Sequence, residues 1–502
     1  MAALLEKTTY RQVSRTLTSA YLALVFLGLP LIFHRFYFDI TETKQYFFLI
    51  TSFAYVLLLL IARILLPKAF GLPVEKRRVH PAVWGMAAFF LCMLGASLFS
   101  AHPETAFFGE KNRYQGILTV FAYTLVVFAL SRQEADLRAA EAGLVSGAGL
   151  AGVLGLLNHF GIDPFGFTAN IAAADQGRFI STIGNLDFYG SFLSIAFPPA
   201  LNFWIRANSN RARLLSAVAL CAVGLGVLVA GSDAAALGLI AAALVFPFTL
   251  FSDPRGMRRF FLGWGIFALC ALAFGLAASY LPSKTYLSSF AVLLTKPFAA
   301  IGLAFICCAA AFLLRRPDAR RLRLAAKPYG LALLGAALLG VLCLILLNTA
   351  LKNVSLGGAE QYLRWSDSWG TDRGMIWNWC ARLYASFTPA QKIMGGGPGV
   401  VYYADAQNRL FADAALDSAH NEYLHYLLTV GAAGLAAYLF ALVAALRSGL
   451  RAAAGNPLVR GFVVALAAYA VQASVSIAQP ASTPLLFVIA GLLAAQKPHS
   501  NL

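Results

Sequence analysis

Phe53-Ala54-Tyr55-Val56-Leu57-Leu58-Leu59-Leu60-Ile61-Ala62-Arg63-Ile64-Leu65-Leu66 carries a single charge, Arg63. A barrel strand alternates apolar and polar residues because its two faces meet different surroundings, and this run does not alternate. In hydrocarbon each backbone N–H and C=O must be satisfied inside its own segment or in a closed barrel, so a continuous run of this kind reads as a membrane helix. Working outward, similar blocks recur near residues 17 to 33, 44 to 66, 81 to 100, 115 to 131, 139 to 157, 186 to 205 and 214 to 231. Seven more lie near 234 to 251, 260 to 281, 290 to 314, 329 to 349, 423 to 446, 460 to 478 and 484 to 496. The expected fold class is therefore all-α and polytopic: about fourteen transmembrane helices in one membrane-embedded domain over 1–502, with a large outer loop that contains short helices.

Composition agrees. The 502 residues are 60% hydrophobic and 12% charged, half the charge of an average soluble domain. The first apolar block runs into Arg35 without a small-residue cleavage site, so it is expected to remain as a span rather than be removed as a signal peptide. Six of the seven cysteines lie in apolar blocks, and Cys380 alone faces the outer side, so no structural disulfide is expected.

The net charge of +17 invites a nucleic-acid reading, which the placement of the charges excludes. With the N-terminus inside, inner loops hold 26 of the 39 Lys and Arg but 7 of the 22 Asp and Glu, and Lys76-Arg77-Arg78, Arg255 with Arg258-Arg259, and the 315–327 cluster lie there. That bias orients the chain in a cytoplasmic membrane and makes anionic lipid, not nucleic acid, the partner of the basic loops. Both termini are then inside, and the long loops 158–183 and 350–419 are outside. Inner loops have no Gly-rich phosphate loop and no acidic pair for a metal-bound nucleotide sugar. A reaction on the outer face must therefore use a substrate that is already activated and already across the membrane.

The first outer loop ends in Gly177-Arg178-Phe179-Ile180-Ser181-Thr182-Ile183-Gly184-Asn185. The second contains Arg373-Gly374-Met375-Ile376-Trp377, then Gly395-Gly396-Gly397-Pro398-Gly399, then His420-Asn421-Glu422-Tyr423-Leu424 at the start of the next span. The Arg-x-x-Ser-Thr-x-Gly-Asn element, the Arg-x-x-x-Trp element, the Gly-rich turn and His-Asn-x-x-Leu together resemble the O-antigen ligase superfamily, which takes in WaaL-type ligases and Wzy-type polymerases of bacterial surface polysaccharide. The resemblance implies an inverting, metal-independent glycosyltransferase in the bacterial cytoplasmic membrane, its active site facing the periplasm or cell exterior. The donor would be an undecaprenyl-pyrophosphate-linked glycan and the acceptor a glycan, lipid or protein hydroxyl, with no cofactor. It also implies that Arg178 and Arg373 hold the pyrophosphate and that His420 is the base.

The residue types suit those roles. A polyprenyl pyrophosphate is already a leaving group, so the chain has to neutralise growing charge, and the guanidinium fork binds phosphate oxygens bidentately. Snorkelling to headgroups, or pairing with Asp175 or Asp372, is the bland alternative for the two arginines. His420 is expected at a helix start capped by Asp417 or Ser418, where the positive helix end keeps the imidazole neutral. Lys111 and Arg113, in the turn 108–116, and Asn185 and Asn421 are further candidates for contacting substrate; an ordinary helix-entry loop is the competing reading for the first two. His425 reads as structural. His420 and His425 are five apart rather than four, so no metal is expected. A helix over 375–387 is expected to lie in the interface above the cavity, packing its aromatics or stacking them on sugar rings.

Two other classes compete. A fourteen-span flippase would move a lipid-linked glycan without chemistry, but transporters are usually built from repeated halves and this chain shows no repeat. A peptidoglycan-type glycosyltransferase would use an outer-loop carboxylate, for which Glu360, Asp367, Asp372, Asp405 and Asp413 are available.

Overall fold

The computed structural model of the chain describes residues 2–66, 78–98, 100, 102–316, 318–408, 410–411 and 416–496. Lys76, Arg77 and Asp413 lie outside the described residues. In chain order the main helices are α1 (Ala2–Ala23, extended to Leu31 through a π turn), α2 (Ile40–Leu65), α3 (Pro81–Ser97), α4 (Ile117–Ser131) and α5 (Leu137–His159). A hairpin of β1 (Phe179–Ile180) and β2 (Gly184–Asn185) leads into α6 (Leu186–Arg206), α7 (Asn210–Val229), α8 (Asp233–Val245) and α9 (Pro254–Ala278). Next come α10 (Ser289–Thr295), α11 (Pro297–Leu313), α12 (Ala319–Asn348), α13 (Trp369–Ser386), α14 (Glu422–Ala453), α15 (Arg460–Gln472) and α16 (Thr483–Ala494).

All fourteen apolar blocks contain helix, and the chain is an all-α polytopic membrane protein. Seven helices are long and apolar enough to cross a membrane, and the bent pair α10–α11 would make an eighth. Five further apolar helices have fewer than 18 residues, short of the ~20 that span ~30 Å of hydrocarbon. The expected continuous span at 290 to 314 is broken by 73° between Thr295 and Pro297. Proline disfavours helical backbone in the residue before it, and Lys296 is extended at φ −65°, ψ 136°. α6 has 21 residues but is not among the seven. It runs through the centre of the bundle and is buried from Phe188 to Asn202, so it meets helices rather than lipid. Polar groups on it bond neighbouring helices: Asn202 Nδ2 donates to Glu141 Oε1 at 2.7 Å, and Ser191 and Ser194 bond Gln472 on α15.

α14 carries the feature that positions the outer loop. It packs along α3 and breaks at Gly431, where φ is +70° and ψ −175°. A break leaves carbonyls without helical partners, and the Gly-rich turn supplies them: Gly396 N donates to Leu428 O at 2.8 Å and Gly397 N to Thr429 O at 3.0 Å. The two backbones touch, because a Cβ on Gly431 would lie 2.2 Å from Ile393 O and one on Gly395 2.2 Å from Thr429 O. The amides of Gly396 and Gly397 are thus committed to a helix rather than presented to an anion. Gly431→Ala is expected to cost on the order of 3 kcal/mol, seen as loss of monodisperse protein in detergent chromatography. An unchanged elution profile and melting point would show that the contact tolerates a side chain.

Candidate active site

The spacing in Arg-x-x-x-Trp has a structural reason. Residues four apart share one face of a helix, and α13 takes up helical backbone at Arg373, after left-handed φ angles at Gly370, Thr371 and Asp372. Trp377 donates from Nε1 to Ala419 O at 3.0 Å, fastening the residue before His420 to the helix turn that begins with Arg373. His420 itself sits at φ +50°, unusual for a side-chain-bearing residue, and its N–H donates to Ser418 Oγ at 3.2 Å. Such a conformation persists only where its surroundings impose it.

The N-cap of α14 is Asn421, whose Oδ1 accepts from Leu424 N at 3.0 Å, rather than the expected Asp417 or Ser418. Asp417 is drawn elsewhere: its Oδ1 accepts from Arg113 Nη2 at 2.8 Å. Asn185 plays the same capping part for α6, accepting from Asp187 N at 2.8 Å. Both asparagine candidates therefore use their side-chain oxygen to start a helix.

Arg113, Arg373, Asp417 and Asp187 all act on the His420 ring. Burial, then the two arginines, push its pKa down to about 4 against the opposing carboxylates. At neutral pH the imidazole is uncharged and can accept a proton. Arg113 also lies over the Phe188 ring, 5.5 Å from its centre, and Asp187 is held by Ser232 Oγ at 2.6 Å. Thus the loop before α4, the starts of α6 and α14, and α13 meet at one place.

Two cavities flank it. One of about 680 Å³ is lined by Arg373, Asp233 and Trp369 and by the apolar Leu237, Ile240 and Phe290. The other, of about 820 Å³, is polar and aromatic, with Asp417, Lys111, Glu104, Tyr46, Tyr114 and Tyr402 among its lining. Arg373 Nε is buried and has no hydrogen-bond partner among the described residues. Arg178 is exposed and paired with Asp175 at 3.3 Å. The β1–β2 pairing of Phe179 with Asn185 brings Arg178 beside the start of α6, but no described contact joins it to His420. Lys111 is exposed at the rim of the polar cavity.

The sequence reading passed over Glu110 and Asp233. Gly109 and Gly116 approach so closely that a Cβ on Gly116 would lie 2.3 Å from Gly109 N, and the loop they close turns Glu110 inward. Burial and the nearby Asp417, opposed by Arg113, push the Glu110 carboxyl up to about 8. A carboxyl raised in the fold but ordinary when unfolded makes stability fall as pH rises from about 4.5 to about 8. Glu110→Gln is expected to flatten that fall, measured by thermal unfolding at pH 5 and 8; the same slope in both proteins would contradict the assignment. A paired Gly closing a short loop around an acid was the available signal.

His425 lies one turn into α14, its Nδ1 buried and unbonded among the described residues. No group of three His, Cys, Asp or Glu side chains suited to a metal occurs among the described residues. Of the carboxylates available to an acid-dependent enzyme, Asp405 is fully buried and caps backbone, accepting from Leu410 N at 2.9 Å and Leu416 N at 2.6 Å. On α13, Ile376 and Cys380 are buried against Phe387, Val401 and Leu428, so that face packs, while Trp365 and Trp369 stand partly open beside the Arg373 cavity.

Compared with models of known protein families and with curated proteins, the chain matches none.

Proposed function

We propose that the chain is an O-antigen ligase-like glycosyltransferase, transferring or polymerising a glycan from an undecaprenyl-pyrophosphate donor onto an acceptor hydroxyl at the outer face of a bacterial cytoplasmic membrane. The observation that carries this reading is a neutral, half-buried His420 under the influence of Arg113 and Arg373, with Arg373 lining an apolar cavity and Asp417 a polar one. Lipid and pyrophosphate suit the apolar cavity, whose lining includes Arg373. Sugar rings suit the other, whose tyrosines offer faces and whose Glu104, Lys111 and Asp417 offer hydrogen bonds.

In this reading Arg373 binds the pyrophosphate, with Arg178 as the second cation at the hairpin entrance. His420 takes the proton of the acceptor hydroxyl as its oxygen bonds to the anomeric carbon. The bond from that carbon to the pyrophosphate oxygen breaks, the polyprenyl pyrophosphate leaves with the electron pair, and the anomeric centre inverts. Arginines aimed at the developing charge lower the barrier. The five shorter apolar helices, the bent pair and α6 are read as further crossings, giving fourteen. The end of the bundle holding His420 is the outer one by the charge bias.

The test is transfer by purified protein in detergent with EDTA, from a polyprenyl-pyrophosphate oligosaccharide to a glycan acceptor, with the new linkage read by NMR. Inverted product is expected. Retained configuration, or movement of intact donor across liposomes without transfer, would overturn the proposal.

A further inference from the structure

A second concentration of charge lies at the other end of the bundle. α6 connects the two: Asp187 in its first turn acts on His420, and Arg206 ends this helix of 21 residues, about 30 Å away at 1.5 Å per residue. There a cleft of about 470 Å³ is lined by Arg138, Arg206, Arg255, Arg259 and Arg460, with Asp253 as the carboxylate in its lining.

Two of the five arginines are neutralised. Buried Arg460 donates from Nη1 to Asp253 Oδ2 at 2.6 Å, and Arg206 pairs with the buried Glu141. Arg259 bonds only neutral oxygens, Ile205 O at 2.8 Å and Asn208 Oδ1 at 3.4 Å, while Arg213, Arg255 and Arg258 crowd it against the influence of Asp253 alone. Arg138, Arg255 and Arg259 have no carboxylate partner among the described residues. The starts of α5, α9 and α15 and the end of α6 open on the same cleft, three positive helix ends against one negative. So many like charges in one cleft repel one another unless an anion joins them, and the guanidinium fork matches phosphate oxygens.

We propose that this cleft is a phosphate-binding site, distinct from the His420 site, that takes a phosphate group from an anionic phospholipid headgroup or from a soluble phosphate compound. Basic pockets between membrane helices are suited to such headgroups. Its place between helix ends gives a lipid in the adjoining leaflet direct access.

The test is native mass spectrometry of the delipidated full chain carrying Arg373→Ala, titrated separately with cardiolipin, phosphatidylcholine, inorganic phosphate and pyrophosphate. Preferential retention of cardiolipin over phosphatidylcholine, without response to the free anions, assigns a lipid headgroup; saturable binding of inorganic phosphate or pyrophosphate assigns a soluble source. In either case adding Arg138→Gln with Arg255→Gln, both at exposed positions, is expected to weaken binding roughly tenfold or more, and Arg255→Lys less. Equal retention of phosphatidylcholine, no binding of any probe, or unaltered affinity in the double variant would overturn the proposal. Because Arg373→Ala disables the proposed donor site, failure of the transfer reading leaves this outcome separately readable.

Discussion

His420→Ala is expected to lower glycan transfer by roughly a thousandfold, within the range lost when a positioned general base is removed, while the purified protein keeps its elution profile. The ring is a neutral base among the charges gathered at the start of α14, and Asn421 caps that helix independently of it. His420→Gln, which keeps a hydrogen-bonding side chain but cannot take a proton, is expected to be as inactive as alanine. The left-handed φ of +50° makes His420→Asn the informative control, since asparagine tolerates that backbone; it should fold well and still not transfer. The working form of the imidazole is unprotonated and its pKa is lowered to about 4. Rate should therefore change little with pH through neutrality and fall as pH drops toward about 4. A limb near pH 6.5 would mean that the ring is neither as buried nor as closely flanked by cations as described. Full activity in His420→Ala would remove it as the base.

Arg373 is expected to give the second large effect. Arg373→Ala should reduce kcat by roughly a hundredfold or more, the scale of losing one group that stabilises transition-state charge. Arg373→Lys should recover only a small part, because an ammonium cannot form two parallel bonds to phosphate. Its Nη1 donates to Gly370 O and its Nε is buried without a partner among the described residues, so donors of the guanidinium remain for a phosphate. Arg178→Ala is expected to be milder and to act mainly on KM, since Arg178 is exposed and has Asp175 as an alternative partner. Equal losses in the two variants would mean that Arg178 moves into the site when donor binds.

Helix positions were legible because hydrocarbon permits little else: each apolar block in the sequence coincides with helix. What the blocks could not reveal is which helices meet lipid. α6 is nearly as apolar as its neighbours to the eye, but it is the buried centre of the bundle and holds serine and asparagine against Gln472 and Glu141. α12 is the reverse, long and apolar with none of its residues buried. Lys296 followed by proline announced the 73° break, and the run of Leu and Phe around it concealed the announcement.

At the site, motif spacing carried more than motif identity. Arg373 and Trp377 are one helical turn apart, and that alone brings Arg373 to the turn holding His420. The Arg113–Asp417 pair joins residues 304 positions apart, and no local pattern signals such a pairing. Asp417 was visible only as a possible cap, a role that Asn421 takes because its side chain reaches Leu424 N.

The most direct test of the account is the structure of the chain with a polyprenyl diphosphate glycan made untransferable by a methylene in place of the bridging oxygen. Diphosphate oxygens are expected within about 3 Å of the Arg373 guanidinium, the polyprenyl chain in the cavity lined by Leu237 and Phe290, and the anomeric carbon facing His420. Diphosphate bound in the outer half but away from Arg373 and His420, or at the Arg255–Arg259 end alone with the Arg373 site empty, would contradict the account.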